Sequence, residues 1–541
     1  MNLFQIASVH GLPVAETEML NDLLAVWSRK LARNQRRVQY YMAKNGLRDL
    51  GISIPPSLTD VETVVGWPAK AVDALAVRSR FDGFTLDSGE DADLQAALDA
   101  NRFKVVYRQA VTSELISSCA FMTVSAGASG EPPAIVSAYS ALNAAALWDM
   151  RRKRIRCGMA VVDVDARPGR EAEPLWVNLY TDTDVWEIRK RGGWRAERHP
   201  HSMGRPMMEP LVYRPTLDRP FGQSRISRAV MSITDSAVRT ALRSEVAAEF
   251  FTAPQKYLLG ADDDVFEKLS KWEAYIGNIF TVTKDEDGDV PKFGQLAQAS
   301  MQPHTDYMRS LAARFSGETS IPVSELGVIH DNPASAEAIY AAKESLVIEA
   351  ENLNETNGEA LKAIGRMALA TIRGVPLDEL DDDAKSVKPV WKNPAMPSIV
   401  SQADAMVKII SALPWVAESR VALEEFGFGE DKITRLMNDK RRAEARALLA
   451  QQDQQAAPQQ EEAPASAIDD TQNFYRIMSV LKDCKRGAVT RQVAVRMLES
   501  LGVAEDEAGA LIDANDEPGG PVEVPQGVVE EVPVADTEAV G

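Results

Sequence analysis

The residues in this sequence best suited to chemistry are a pair of aspartates, a pair of histidines and a run of basic side chains. Asp163 and Asp165 stand two apart on a predicted strand, so both carboxylates face the same way and could hold a divalent cation. A solvated strand end explains this pair better. His199 and His201 are expected in a proline-containing loop with no cysteine or acidic partner nearby, which is weak support for a metal site. The basic run MRRKRIRC at 150–157 could contact phosphate, but an exposed turn before a strand is the better explanation.

The sequence lacks the motifs with which nucleotide-dependent enzymes hold phosphate. A phosphate-binding loop of the form GxxxxGK[ST] requires a Gly-Lys pair, and the sequence contains none. Gly427 and Gly429 do not follow the dinucleotide-binding pattern, and no set of nucleophile, base and orienting residue can be assembled. We therefore expect a protein that is not an enzyme, with no catalytic residues, no cofactor and no metal.

The formal charge of -19 is concentrated at one end of the 541-residue chain. Residues 451–541 contain 18 Asp/Glu and 6 Lys/Arg, a net of -12, which leaves -7 for residues 1–450. A chain this long exceeds one hydrophobic core, so several modules are expected. No apolar run is long enough to cross a membrane, no secretory signal is visible, and three widely spaced cysteines suit a reducing compartment.

One further candidate is a row of arginines in the segment RISRAVMSITDSAVRTALRSE at 225–245. At about 100° per residue, one edge of the predicted helix carries the arginine stripe, formed by Arg225, Arg228, Arg239 and Arg243. The opposite side gathers apolar residues, namely Ile226, Val230, Ile233, Ala237 and Ala241. Three explanations of the stripe stay open: a solvated face, contact with DNA, and pairing with acidic groups of a neighbouring chain. Asp235, which lies inside the stripe, favours pairing over phosphate binding.

The secondary-structure elements that the sequence predicts, and that must position these groups, indicate an α+β fold. Helical stretches come first, and short β-rich runs separated by Gly, Pro and Asp then indicate antiparallel strands within 103–215. The arginine helix is followed by a compact insert at 253–300 and a helix at 303–316. A loop of roughly twenty residues comes next, which is long for a compact domain. It leads into a long helix at 334–373, with Gly358 and Gly365 as expected weak points or bends.

Three stretches carry a more specific signal. They are YYMAKNGLRDLGISIPPSLTDVETVVGWPAKAVDALAVRSRFDGF at 40–84, HSMGRPMMEPLVYRPTLDRPFGQSRISRAVMSITDSAVRTALRSEVAAEFFTAPQKYLLGAD at 201–262, and FSGETSIPVSELGVIHDNPASAEAIYAAKESL at 315–346. Together they resemble the portal proteins of tailed bacteriophages, most closely those of long-tailed phages that infect actinobacteria. The resemblance covers roughly residues 15–440 in order, whereas the segments from 451 to the end resemble no known family.

The resemblance implies a portal-type subunit with a mixed α/β wing, a two-helix stem, a small α/β clip and a helical crown. Laid on this chain, the segments are 1–218, the N-terminal part of the wing; 219–252, the first stem helix; 253–300, the clip; 301–316, the second stem helix; 317–333, the tunnel loop; 334–373, the long wing helix; and 374–450, wing and crown. Outside the resemblance, composition predicts a low-complexity linker at 451–470, a small helical unit at 471–515 and a disordered acidic tail at 516–541.

The resemblance also implies which residues meet the channel and which meet other proteins. The tunnel loop would form the channel constriction with Glu318, Ser320, Ile321, Pro322, Ser324, Glu325, Leu326, His330 and Asp331. The clip would present four aromatic side chains to neighbouring subunits or docking proteins, namely Trp272, Tyr275, Phe280 and Phe293. A first stem helix that lies away from the channel favours pairing of the arginine stripe with acidic neighbours over contact with DNA.

The function implied is a structural conduit in the virion, at the portal vertex of the capsid, assembled in the host cytoplasm. A homododecameric ring would let double-stranded DNA pass without sequence preference during packaging and ejection, and would join head to tail. The partners implied are the terminase large subunit, a head–tail adaptor and the major capsid or scaffolding protein, with no membrane. Two alternatives stay open: a packaging ATPase or nuclease of the terminase type, which the missing phosphate loop disfavours, and another minor structural protein of the capsid.

Overall fold

The computed structural model describes most of the chain, in the ranges 5–46, 63–165, 173–252, 256–259, 292–295, 300–327, 336–395, 399–426, 428, 430–456 and 471–516. Backbone contacts divide the protein into two compact units, Met1–Gln402 and Ala403–Gly541. Helices and antiparallel sheets both contribute to the fold, so the predicted α+β class is confirmed.

The elements up to residue 412 follow one another along the chain. They are α1 Val14–Tyr41, α2 Trp67–Ala76, β1 Phe81–Thr85, α3 Ala92–Ala100, α4 Phe103–Ser117, β2 Cys119–Ala126, β3 Ala134–Ser140, β4 Ala144–Asp149, β5 Arg154–Asp165, β6 Glu173–Tyr180, β7 Asp184–Lys190, β8 Trp194–Pro200, β9 Met208–Val212, α5 Arg228–Thr252, β10 Lys256–Leu259, β11 Lys292–Gln295, α6 Gln302–Thr319, α7 Ala336–Arg373, α8 Asp382–Lys385, β12 Lys388–Trp391 and α9 Ile399–Ala412. Short 3-10 helices lie at Val323–Leu326 and Leu377–Glu379.

Antiparallel sheets form the body of the first unit. One has the strand order β3-β2-β9 and another the order β4-β5-β6-β7-β8. Residues on β7 alternate between buried and half-buried, as expected for a sheet covered on one face. Trp186 and Ile188 on that covered face pack in one cluster with Leu20, Leu24 and Trp27 of α1. Helix α1 therefore covers the larger sheet.

Strand β12 pairs antiparallel with β1, far away in the sequence. No pattern in the sequence predicted this strand. Helix α7 lies over the pair, and a Cβ built on Gly365 would come within 3.3 Å of Phe84 and 3.2 Å of Val387. Gly365 thus permits close packing, and α7 is continuous through both Gly358 and Gly365. The expectation that these glycines are weak points or bends stays a prediction.

The two central helices differ in their bounds from the segments predicted for the stem. Helix α5 begins at Arg228, not at 219, because the Ser227 hydroxyl accepts a hydrogen bond from the Val230 amide (3.1 Å) and so caps the helix. Helix α6 continues to Thr319, three residues beyond the predicted end, and stops at Ser320 with a left-handed φ of 55°. The predicted tunnel loop therefore starts too early, since residues 317–319 are helical.

The second unit is helical in the residues that the structure describes. After a 3-10 helix at Pro414–Glu418, its elements are α10 Arg420–Glu425, α11 Glu430–Ala456, α12 Thr471–Lys485, α13 Arg491–Ser500 and α14 Glu505–Asp516. Helix α11 extends into the segment expected to be a linker, because its last residues, QQDQQA, lack both Gly and Pro. Helices α12 to α14 share a small apolar core that includes Ile477, Leu481 and Leu498.

Candidate functional site at the base of the central helices

Arg225, predicted to begin the arginine stripe, is instead buried just before α5. Its side chain is 3% exposed, and its three nitrogens reach three different parts of the fold. Nε donates to the carbonyl oxygen of Ala71 in α2 (2.5 Å), and Nη2 donates to that of Thr319 at the end of α6 (2.6 Å). The Thr319 carbonyl belongs to the last turn of a helix, where no intrahelical partner is present. Arg225 thus links the start of α5 and the end of α6 to α2 by hydrogen bonds.

The third nitrogen of Arg225 reaches a buried carboxylate on the long helix α7. Nη1 lies 2.6 Å from Oε1 of Glu349, whose side chain is 8% exposed, and also donates to the Tyr213 hydroxyl at 2.8 Å. Tyr213 donates to the same carboxylate, and the half-exposed Arg214 lies 2.7 Å from it. Burial raises the pKa of Tyr213 to about 12, so the phenol stays protonated and remains a donor. We name these four residues the base network.

The other arginines of the stripe lie on α5 but do not form a shared feature with Arg225. Arg228 is exposed, and Arg239 donates to Ser236 within its own helix (3.0 Å). Arg243 is half-buried. Asp235, expected to pair with basic groups, accepts a hydrogen bond from the Tyr40 hydroxyl of α1 (2.8 Å). The predicted stripe of four arginines is wrong, because Arg225 lies before the helix and is buried. The apolar side of α5 is confirmed by the burial of Val230, Ile233 and Ala237. Ala241 is half-buried, and Ile226 is buried just before the helix begins.

The described part of the segment predicted to be the tunnel loop packs on the rest of its own chain. Ile321 is fully buried and Leu326 nearly so, both in the main core of the first unit, and the Trp67 indole N–H donates to the Leu326 carbonyl (3.3 Å). Pro322 is half-buried, whereas Ser324 is exposed. Ile321 and Leu326 therefore complete the core of their own chain.

Glu325 holds the loop through two lysines of different helices. Its carboxylate lies 3.2 Å from the Lys70 ammonium on α2 and 3.3 Å from the Lys343 ammonium on α7. Burial opposes ionisation here, but the two ammonium groups outweigh it and hold the pKa of Glu325 below its usual range. Glu318, on the exposed side of α6, and Ser320, which ends that helix, flank this anchored segment.

Several predicted residues lie outside the residues that the structure describes. These are His330 and Asp331 of the tunnel loop and Trp272, Tyr275 and Phe280 of the clip. Phe293 lies in β11, which pairs with β10 in an antiparallel register that sets Phe293 opposite Leu258. The clip interface and the end of the tunnel loop stay predictions.

The paired aspartates and the paired histidines are the candidates for metal binding. The ladder between β5 and β6 is irregular on both sides of Asp163, which breaks the simple alternation that placed it on one face with Asp165. His199 is not isolated from acids, since Glu187 and Glu197 bring carboxylate oxygens close to it. These groups are largely exposed, and Glu187 already pairs with Arg189 (2.7 Å). Exposed clusters of this kind are common without any ion.

The basic run at 150–157 divides between a turn and a strand. Residues 151–153 form an exposed turn, in which the Arg151 and Arg152 amides donate to the Asp149 carboxylate (2.9 Å each), and β5 begins at Arg154. This is the structural explanation that the sequence favoured.

The structure contains a buried carboxyl group and a cluster of cations that were not identified from the sequence. Glu114 of α4 is fully buried, and burial raises its pKa to about 8, although the Asn357 amide donates to it at 2.8 Å. A dense group of cations on α1 includes Lys30, Arg33 and Arg37. The segment RKLARNQRR showed the second group in the sequence, at spacings that place its cations on one side of a helix.

Comparisons with known proteins point in one direction. The curated protein named Portal protein from Mycobacterium phage D29 is 25% identical over 434 residues, covering 75% of this chain and 85% of that protein. A Portal protein from Mycobacterium phage L5 is 26% identical over 409 residues, covering 71% and 79% respectively. A comparison with protein-family models found no match. Among the described residues, no helix is long and apolar enough to cross a membrane.

Two solved structures complete the comparison. A chain in the virion of a native gene transfer agent particle is 14% identical and gives a TM-score of 0.39, covering 73% of this chain and 99% of that chain. A chain in the neck of the native particle, computed with C12 symmetry, is 13% identical with a TM-score of 0.36 and the same coverage.

Proposed function

We propose that this chain, a relative of the portal proteins of two mycobacterial phages, is itself a portal protein and head–tail connector of a tailed phage. The observation that carries the proposal is the similarity to those two proteins over about three quarters of the chain. The protein acts as a structural part of the virion at a capsid vertex. DNA passes through the ring during packaging and ejection, and the tail joins to it.

The ring consists of twelve subunits, and its further partners are the terminase large subunit, the head–tail adaptor and the capsid or scaffolding protein. The pairing of α5 with α6 supports a two-helix stem, since Ile233 and Ala237 share a core with Leu311 and Phe315. The base network supports a stem held rigidly to the wing, because Arg225 links the start of one stem helix to the end of the other. A head-to-tail ring repeats this connection in every subunit.

Electron microscopy of the purified protein tests the ring directly. We expect closed rings with a central hole, in negative stain and by class averaging. Monomers, or hexamers with bound nucleotide, would contradict the proposal. An ATPase assay on the same ring fraction separates the enzyme alternative, since we expect no hydrolysis that follows the ring through size exclusion.

We still assign the tunnel loop a role in the channel, and we assign that role to the exposed residues of the loop. Deleting 320–326 would remove the buried Ile321 along with the surface, so point changes are the sharper test. The pair Glu318→Lys and Ser324→Lys adds cations at exposed positions, which should attract DNA phosphate and slow packaging. Glu355→Lys, at an exposed position on α7, is the control. Equal packaging rates for the pair and the control would exclude these residues from the channel surface.

A further inference from the structure

Helix α1 carries a row of cations next to the side that packs on the larger sheet. At about 100° per residue, the buried residues Leu20, Leu23, Leu24 and Trp27 centre on one direction. Five cations occupy an adjoining arc of about 120°, over little more than two turns of helix, and Lys30 stands at the edge of that arc beside Leu23. We name them the α1 basic face: Arg29, Lys30, Arg33, Arg36 and Arg37.

The α1 basic face has no acidic partner in the described part of the chain. No ion pair joins any of the five cations to a carboxylate of those residues. Arg37 is half-buried and donates to two neutral oxygens, the Ser117 carbonyl (2.6 Å) and the Asn34 amide (3.4 Å). Burial and the neighbouring arginines lower the pKa of Lys30, and burial with Arg33 lowers that of Arg37 to about 10. An anion at this place would relieve the crowding of like charges.

A cleft of about 460 Å³ opens beside this face. Its charged lining consists of four cations and one carboxylate, namely Lys30, Arg33, Arg37, Arg219 and Asp218. The half-buried Phe221 and the buried Phe121 supply part of the apolar wall, with ring centroids 6.0 Å apart. The cleft therefore has an apolar wall and charged lining residues with a net charge of +3, which suits a multiply charged oxyanion better than a single carboxylate.

We propose that the α1 basic face and this cleft bind phosphate groups, and that the phosphodiester backbone of DNA supplies them. Arg29 and Arg36 are seven residues apart, or about 10 Å along the helix. DNA carries one phosphate per ~3.4 Å of duplex axis on each strand, and consecutive phosphates are farther apart than this because the strand winds around the axis, so the face is long enough to reach about two phosphates. A single free phosphate can occupy the cleft but cannot engage the whole row. The contact is independent of base sequence, and it belongs to the subunit, so it does not rest on ring formation.

The test compares two double variants of equal charge change. Lys30→Ala with Arg33→Ala removes two exposed cations of the face without touching the hydrogen bonds of Arg37. Arg441→Ala with Arg446→Ala removes two exposed arginines of α11 and is the matched control. Fluorescence anisotropy with a short duplex at about 50 to 200 mM KCl gives the affinity and its salt slope. Circular dichroism verifies that both variants are folded, and electron microscopy of the same samples reports ring formation separately.

We expect the first variant to bind the duplex at least about tenfold more weakly, with a salt slope smaller by about one per cation removed. The control should match the unmodified protein. Inorganic phosphate should compete with the duplex only weakly, whereas competition at stoichiometric phosphate would identify free phosphate as the ligand and refute the DNA assignment. Equal affinities in the two variants, no binding of duplex by the unmodified protein, or tighter binding of an acidic peptide would each overturn the proposal.

Discussion

Replacing Arg225 with methionine should destabilise the first unit more than any surface change. The variant leaves the buried Glu349 carboxylate without its closest cation and leaves the carbonyl oxygens of Ala71 and Thr319 without a donor. Removing one partner of a buried ion pair costs about 3 to 5 kcal/mol. Each buried carbonyl left unpaired adds about 1 kcal/mol or more. A loss of about 4 kcal/mol or more in the free energy of unfolding is expected.

The matched control removes both charges. Arg225→Met combined with Glu349→Met replaces the ion pair with apolar side chains, and such replacements are often close to neutral. We expect the double variant to recover at least about 2 kcal/mol relative to the single variant, because the double variant removes the buried carboxylate, which the single variant leaves with only the half-exposed Arg214 as a cationic partner. A coupling of this size between two substitutions is typical of residues in direct contact.

Hydrogen exchange in increasing urea, read by mass spectrometry, is the suitable assay because it reports the opening of each segment separately. Peptides from α6 and α7 should show the loss, since Arg225 contacts both helices, while peptides from α12 to α14 should not change. A loss below about 1 kcal/mol in the single variant, or strictly additive effects in the double variant, would refute the role assigned to the base network.

Three other changes test separate parts of the fold. The Glu114→Gln variant should become more stable relative to the unmodified protein by about 1.4 kcal/mol for each pH unit between about pH 5 and 8. The reason is that the unmodified native state keeps a proton on Glu114 that the unfolded state has lost. A difference in the free energy of unfolding that did not depend on pH, measured by urea denaturation, would contradict the raised pKa of Glu114. Ile321→Ala should cost about 2 to 4 kcal/mol and Ser324→Ala almost nothing, measured by the same denaturation, and equal effects would show that the loop does not pack inward. Gly222→Ala should lower the melting temperature by several degrees, because φ is +62° and a Cβ would lie 2.1 Å from the Tyr213 carbonyl oxygen; an unchanged midpoint would show that this turn adapts freely.

The order of the elements could be predicted from the sequence because helical and strand periodicities are local. The apolar side of α5 follows from residues three and four apart, and Val230, Ile233 and Ala237 are buried as that spacing requires. The fold class follows in the same way from the β-rich runs before α5.

The role of Arg225 could not be predicted, because it depends on contacts that no periodicity encodes. A helical wheel extended through Ser227 places Arg225 in a stripe, but the serine caps the helix and the arginine before it is buried. Its two carbonyl partners, Ala71 and Thr319, lie 154 and 94 residues away along the chain. The inward packing of the loop before α7 was hidden for a similar reason, since small and polar residues surround the buried Ile321.

The pairing of β1 with β12 sets an order for folding during synthesis. Between Thr85 and Lys388 the ribosome adds about 300 residues, which at ~5–20 residues per second takes roughly 15 to 60 s. During that interval β1 has no β12 to pair with, while α5 and α6 have already left the ribosome. Helices α5 and α6 are therefore synthesised before the first unit can complete its fold, and α7 and β12 complete it last. A nascent chain halted before Lys388 would expose the edge of β1, an unpaired strand of the kind that invites aggregation.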